Sequence, residues 1–196
     1  EQGLNIGRLA TQIAGFPITV SGATVNRFCS SGLEAIALSS LRVMAGWSEV
    51  TMGGGVESMT YVPMGGNLPR PHPEHAKAHA DLYASMGITA ENVANRYKVT
   101  REDQDAFAIQ SYERAAKAWS EGKFADEVVP VEIPQRRGEP IIMSEDEEFK
   151  NVKMDKIPSL RPAFSKDGTV TAANASTIND GAAALVLMSA EKAATL

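Results

Sequence analysis

The sequence predicts an α/β protein, a sheet flanked by helices on both faces. Two observations carry this. Helical and strand-like patterns alternate in the order helix, strand, helix, strand, long insertion, strand, helix. The composition is that of an ordinary globular chain, with 43% hydrophobic, 22% charged and 6% aromatic residues over 196 positions.

The elements follow in order. Ile6, Leu9, Ala10, Ile13 and Ala14 recur at the spacing of one helix face over residues 4–14. Gly15 and Pro17 end that helix, as a C-terminal glycine and a nearby proline do. Residues 18–28 are rich in β-branched side chains and read as a strand. After Cys29-Ser30-Ser31-Gly32, an amphipathic helix is marked by Leu33, Ile36, Ala37, Leu41 and Met44, and Gly46 ends it. Val50 to Val56 reads as a short buried strand running into Gly53-Gly54-Gly55.

The middle, 60–178, differs in texture: it holds most of the prolines and all three histidines. Thr100 with Asp103 marks a helix start of the capping-box kind. The helix behind it is predicted to bury Ala108, Ile109, Tyr112, Ala115, Ala116 and Trp119, and Gly122 closes it. Val128 to Ile133 reads as extended, and Glu145-Asp146-Glu147-Glu148 as a solvated loop. Gly181 to Ser189 is an apolar run of buried-strand length, and Glu191 to Ala194 begins another helix. Three strong strands are few for such a sheet. The chain also opens at Glu1 without a methionine, directly in a helix-like pattern, and both features suggest a piece of a longer protein.

Bulk properties narrow the function classes. A net charge of −5 argues against nucleic acid or an anionic membrane as the main partner. One cysteine excludes an intramolecular disulfide framework. No apolar run approaches the ~20 residues of a membrane span, and no stretch reads as a secretory leader.

Cys29 stands out for chemistry. It falls where a strand gives way to a helix, and its neighbours Ser30, Ser31 and Gly32 are small enough to admit a substrate. A helix N-terminus offers unpaired N–H groups and the positive end of the dipole, which favour thiolate and so a nucleophile. The turn shares its logic with the nucleophile elbow of serine hydrolases, with a different glycine pattern. The alternative is a small buried hydrophobe. His72, His75 and His79 share one face if helical, which raises a metal site, but Pro71 and Pro73 disfavour a regular helix there, and a solvated loop is the reading preferred. Gly53-Gly54-Gly55 lacks any phosphate-binding fingerprint and reads as close backbone packing. Asn174, Asn179, Asp180 and Gly181, with Ala172, Ala173, Ala175 and Ser176, make either ordinary turns or a small-residue loop lying against a ligand.

Together these segments resemble the thiolase family. Asn26-Arg27-Phe28-Cys29-Ser30-Ser31-Gly32 resembles its N-x-x-C-[GSA]-S-G motif, and Gly54-Gly55-Val56-Glu57-Ser58-Met59 its G-G-x-E-S-M strand end. Met86 to Glu91 resembles M-G-x-T-A-E, and Gln104 to Ala108 resembles Q-D-x-F-A. Leu160 to Phe164, Gly168 to Ala172, Asn174 to Ser176 and Asn179 to Ala183 follow in family order.

The resemblance implies a layered αβαβα fold, with only part of the N-terminal half and its inserted loop domain present. Residues 1–59 and 179–196 would be partial core, and 60–178 the loop domain that binds coenzyme A. It implies an acyltransferase that cleaves 3-ketoacyl-CoA with CoA through an acyl-cysteine on Cys29, as in fatty acid β-oxidation. Met86, Ala163, Phe164, Ala172, Ser176 and Ile178 match CoA-contacting positions. The base histidine, an asparagine-held water and a second cysteine would lie outside this sequence, so the fragment alone is expected to be inactive. Coenzyme A is a substrate here, with no permanently bound cofactor and no metal.

A homodimer or homotetramer is implied, with a β-oxidation complex partner. No nucleic acid partner and no membrane span are implied, and the location is bacterial-type cytoplasm or an organelle. Two departures stand out: Ala173 replaces a glycine, and Ser85 stands where acetoacetyl-CoA thiolases carry histidine. The latter leans towards the degradative, longer-chain branch. Acetoacetyl-CoA thiolase is the alternative within this chemistry, and a non-catalytic CoA or lipid carrier the alternative outside it.

Overall fold

The computed structural model describes residues 3–196; the Glu1-Gln2 opening lies outside the described residues. In chain order the first elements are α1 (Ile6–Ile13), α2 (Ser31–Met44), β1 (Val50–Glu57), α3 (Pro73–Ala78), α4 (Met86–Tyr97) and α5 (Arg101–Ser120). Then come β2 (Val131–Ile133), β3 (Ile141–Met143), α6 (Glu148–Asn151), β4 (Gly181–Met188) and α7 (Ala190–Ala193). The chain divides into two compact units, Glu1–Arg70 with Ile178–Leu196, and Pro71–Thr177.

The first unit is built on one antiparallel pair. β1 and β4 run in register from Val50 opposite Met188 to Glu57 opposite Gly181. α2 lies along one face, antiparallel to β1: Ser39 Oγ donates to the Met52 carbonyl at 3.0 Å, and Thr51 Oγ1 to the Ser39 carbonyl at 3.2 Å. Gly53 permits this approach, because a Cβ there would stand 2.9 Å from the Ile36 Cα. At Gly54 a Cβ would meet the Ala183 carbonyl oxygen of β4 at 2.5 Å. The glycine run is a packing device, as its lack of a phosphate fingerprint suggested.

Two sequence expectations fail here for one reason. Residues 18–28 form no strand. Side chains of and before α1 take up backbone groups that a ladder would have used. Arg8 donates to the Val20 carbonyl and, at 2.8 Å, to that of Ile18. Asn5 Nδ2 donates to the Gly22 carbonyl at 2.8 Å. β-branched side chains supply propensity, and only a partner strand makes a ladder. Nor are β1 and β4 buried. On the face away from α2, Val50, Met52, Val56 and Val186 stay exposed. A two-stranded sheet leaves its edges and one face open, so α2 covers one face where helices on both were expected.

The second unit has a denser centre. Ala94 of α4, Ala108 of α5, Ile157 of a 3₁₀ turn (Met154–Ser159) and Val170 of the loop before β4 are buried, as are Glu91, Asp105 and Thr171. The predicted cap of α5 is present: Thr100 Oγ1 accepts from the Asp103 N–H at 3.1 Å and donates to Asp103 Oδ2 at 2.8 Å. The predicted inner face also holds, with Ala108 buried and Ile109, Tyr112, Ala115, Ala116 and Trp119 half-buried.

Three local readings are corrected. A short helix, α3, does form across the histidines. Pro73 occupies its first turn, where a missing N–H costs nothing, and His72 Nδ1 accepts from the His75 N–H at 3.3 Å. The extended segment pairs with a strand the sequence did not announce, Ile133 facing Ile141. The acidic run is exposed as expected but ends in α6 at Glu148.

The chain exposes 15398 Å². Two separately folded units of ~10 kDa each would expose about 11,000 Å².

Candidate functional site

Cys29 sits at one end of the β1–β4 pair. Antiparallel packing sets the start of α2 beside the carboxyl end of β1, where a Cβ on Gly55 would approach the Gly32 Cα at 3.8 Å. The residue lies in a 3₁₀ turn, Phe28–Ser30, that runs into α2. Its thiol is exposed, so the small-buried-hydrophobe alternative is dismissed. Phe28, just before it, has φ +51°, a left-handed conformation that a bulky residue adopts only under constraint.

The constraint is visible. Asn26 Oδ1 accepts from the Phe28 N–H at 2.9 Å. Ser31 Oγ accepts from the Arg27 N–H at 2.8 Å and donates to the Phe28 carbonyl at 2.6 Å. The asparagine and the second serine of the N-R-F-C-S-S-G segment therefore fold the turn that presents the thiol. An Arg27–Glu34 ion pair of 2.7 Å spans the same turn.

The neighbouring motif ends are joined at that end of the sheet. Asp180, before β4, accepts from the Met59 N–H at 2.6 Å, just past β1. Asp180 thus ties together segments 121 positions apart, a role that neither the local-turn nor the ligand-loop reading stated. Ile178, also in this unit, is exposed.

The other sequence-predicted residues lie in the second unit. Met86 opens α4 and is exposed. Ser85 caps that helix, its hydroxyl facing the Ile88 N–H at 3.4 Å. Phe164 lies directly on Gly87, so closely that a Cβ on Gly87 would occupy the ring's place. The Ala163 N–H donates to the Val170 carbonyl at 2.9 Å, and exposed Ala172 stands two residues further on. Ser176 is exposed and hydrogen-bonds the Thr177 carbonyl at 3.3 Å. Met86, Ala163, Phe164 and Ala172 thus come together around Gly87 and Val170. Ala173, the residue that departs from the family's glycine, keeps its backbone out of the left-handed region, and its carbonyl accepts from Tyr112 Oη at 3.2 Å.

The residues that hold this loop were not singled out from sequence. Glu91 accepts from the Thr169 N–H at 2.9 and 3.0 Å, from the Val170 N–H at 2.9 Å and from Thr169 Oγ1 at 3.2 Å. Burial alone pushes its carboxyl up, but the Thr169 and Val170 donors outweigh it, and the net direction is below the usual carboxylate value. Asp105 accepts from Arg101 Nε at 2.7 Å and from Asn174 Nδ2 at 2.9 Å. Arg101 also donates to the Ile157 and Leu160 carbonyls at 2.7 and 3.1 Å. Gln104 Nε2 reaches Thr169 Oγ1 at 2.9 Å. Glu91, Gln104 and Asp105 stand inside the M-G-x-T-A-E and Q-D-x-F-A segments and Arg101 just before the second, so the signal was there, without the long-range partner that gives it meaning.

The histidines take no part in this arrangement. The His75 and His79 rings lie 4.9 Å apart on the surface, tilted at 45° to each other, and His75 Nδ1 faces Tyr83 Oη at 3.3 Å. Among the described residues no group of three His, Cys, Asp or Glu is placed to hold a metal ion. No helix among them is long and apolar enough to cross a membrane.

Comparison with known proteins agrees with the motif order. Residues 1–191 match the family model described as thiolase, N-terminal domain. The chain is 49% identical over 205 residues to a 3-ketoacyl-CoA thiolase of Bacillus subtilis (strain 168), covering all of this chain and 52% of that protein. It is 44% identical over 210 residues to a probable acetyl-CoA acyltransferase of Staphylococcus aureus (strain COL), covering all of this chain and 53% of that one. A crystal structure of the Acat5 thiolase from Ascaris suum in complex with coenzyme A superposes with a TM-score of 0.78 at 38% identity, over 98% of this chain and 52% of that one. The chain spans about half the length of the curated relatives it matches. By the extent of the family match and the agreement in fold, the chain belongs to the thiolase family.

Proposed function

We propose that this chain supplies the acyl-accepting nucleophile and the CoA-holding loops of a thiolase that shortens 3-ketoacyl-CoA. The Cys29 thiolate attacks the C3 carbonyl. The new S–C3 bond forms as the C2–C3 bond breaks, and the electron pair leaves as the enolate of acetyl-CoA, which then takes a proton. The thiol of a second CoA attacks the acyl-cysteine, giving an acyl-CoA two carbons shorter and returning Cys29. One covalent intermediate between two substrates means ping-pong kinetics.

The exposed thiol at the head of α2, in a turn held by Asn26 and Ser31, carries this reading. The names of the relatives and the CoA complex of the Ascaris suum thiolase support the substrate class. In the proposal, Met86, Ala163, Phe164, Ala172, Ser176 and Ile178 contact CoA. An apolar wall with a few polar groups is the usual chemistry of such a site. Residues 60–178 play the part of the loop domain, and the compact unit Pro71–Thr177 lies within them. Degradation of fatty acids in the cytoplasm, by a homo-oligomer, completes the reading. The open apolar face of β1 and β4 fits a protein that assembles.

Thiolysis assayed on the native polypeptide containing this chain tests it. Cys29→Ala should abolish cleavage, and cleavage that survives the substitution contradicts the proposal. Turnover of acetoacetyl-CoA against longer 3-ketoacyl-CoA then sets the branch, and the proposal expects the longer substrates to be preferred.

A further inference from the structure

We propose that Glu91 and Gly168 form one device that sets affinity for coenzyme A, with Glu91 a positioning residue that never touches the ligand. The inference rests on the thiolase reading above. Glu91 is 5% exposed and stands on α4, five residues beyond Met86. Its two carboxylate oxygens receive the backbone N–H groups of Thr169 and Val170 and the Thr169 hydroxyl, all from one loop.

Gly168 completes the device. A Cβ there would fall on the Glu91 carboxylate, Oε1 and Cδ first. The glycine is therefore required by the carboxylate beside it and not by a left-handed backbone, since its φ is not among the positive values. The M-G-x-T-A-E and G-T-V-T-A segments, 78 residues apart at the Glu91–Thr169 contact, are two halves of one clamp.

The clamp joins the pieces that would meet the ligand. One side carries Met86 and, on Gly87, the Phe164 ring. The other carries Val170, whose carbonyl holds Ala163, and then Ala172. Buried N–H groups left facing an amide instead of a carboxylate lose a charge-assisted acceptor. Glu91→Gln places an NH₂ against donors, so loop and helix separate while nothing at Cys29 changes.

The test is kinetic, on the native polypeptide that contains this chain. Glu91→Gln and Gly168→Ala should each raise the KM for CoA about tenfold, with kcat within about twofold. Their combination should be no worse than the worse single variant, because each removes the same contact. Acylation of Cys29 by a 3-ketoacyl thioester of N-acetylcysteamine, which lacks the nucleotide and most of the pantetheine arm, should stay at the wild-type rate.

The milder Thr169→Val, which deletes only the hydroxyl contacts, should give a smaller rise in KM and covers the event that Glu91→Gln does not fold. An unchanged KM for CoA overturns the proposal. So do multiplicative single effects, or an equal loss with the truncated thioester, which would mark a merely structural role. A wild-type protein without CoA-dependent thiolysis contradicts the thiolase reading instead, whatever Glu91 does.

Discussion

The unit of Pro71–Thr177 organises itself from within, whereas the unit that carries Cys29 does not. In the former, Glu91, Asp105 and Thr171 are buried with their partners satisfied, and Ile157 is 1% exposed. In the latter, Ser39 is the one buried side chain among the described residues, while Leu33, Leu41, Met44, Trp47 and Val186 stand in solvent. The difference is one of division of labour. The loops assigned to CoA are preorganised by a polar network of their own. Cys29, the proposed nucleophile, is presented by a local turn on a sheet whose apolar face is left open among the described residues. Hydrogen exchange should rank the two accordingly, with α5 amides protected and β1 and β4 amides exchanging fast in the isolated chain. Equal protection would break the contrast.

The largest effect is expected in the second unit. Arg101→Ala leaves the buried Asp105 carboxylate without its cation and strips the Ile157 and Leu160 carbonyls of a donor. It should cost about 3–5 kcal/mol, read as a lower denaturation midpoint of that unit. Gly53→Ala probes the first unit. Its Cβ would press on the α2 backbone at Ile36, which should cost about 1–3 kcal/mol and loosen the helix that starts at Cys29.

Acid probes the second unit next. Glu91 is held below its ordinary value of 4.5 in the folded state, so the unfolded chain binds its proton more readily. Its contribution is full above about pH 4.5 and is lost as pH falls through the lowered folded value. Stability of the second unit should therefore drop below pH 4.5 with a limb that Glu91→Gln flattens. An unflattened limb would assign the drop to other carboxylates. The smallest change is Thr100→Ala, which removes the α5 cap for about 1 kcal/mol.

What the sequence disclosed follows the same line. α1, α2, β1, α5 and β4 were legible because periodicity and caps are local signals, and Thr100 with Asp103 sat where predicted. The place of Cys29 at the head of α2 was legible from the three small residues and the amphipathic pattern that follow it, while the strand expected before it is absent. Residues 18–28 misled, since their strand character depends on a partner that the described residues do not provide, and Arg8 and Asn5 engage them instead. α3 was missed because Pro73 lies at a helix start, where proline is tolerated. The Glu91–Thr169 and Asp105–Asn174 contacts were invisible because they join residues 78 and 69 positions apart. No local pattern encodes such a pair.

The role proposed for Cys29 is that of acyl carrier. Intact-mass spectrometry of the native polypeptide, quenched in acid after 3-ketoacyl-CoA is added without free CoA, reads this directly. A single added acyl group is expected, mapped to the peptide carrying Cys29, absent in Cys29→Ala and discharged by CoA. Turnover with no adduct on Cys29, or an adduct on another residue, would contradict it.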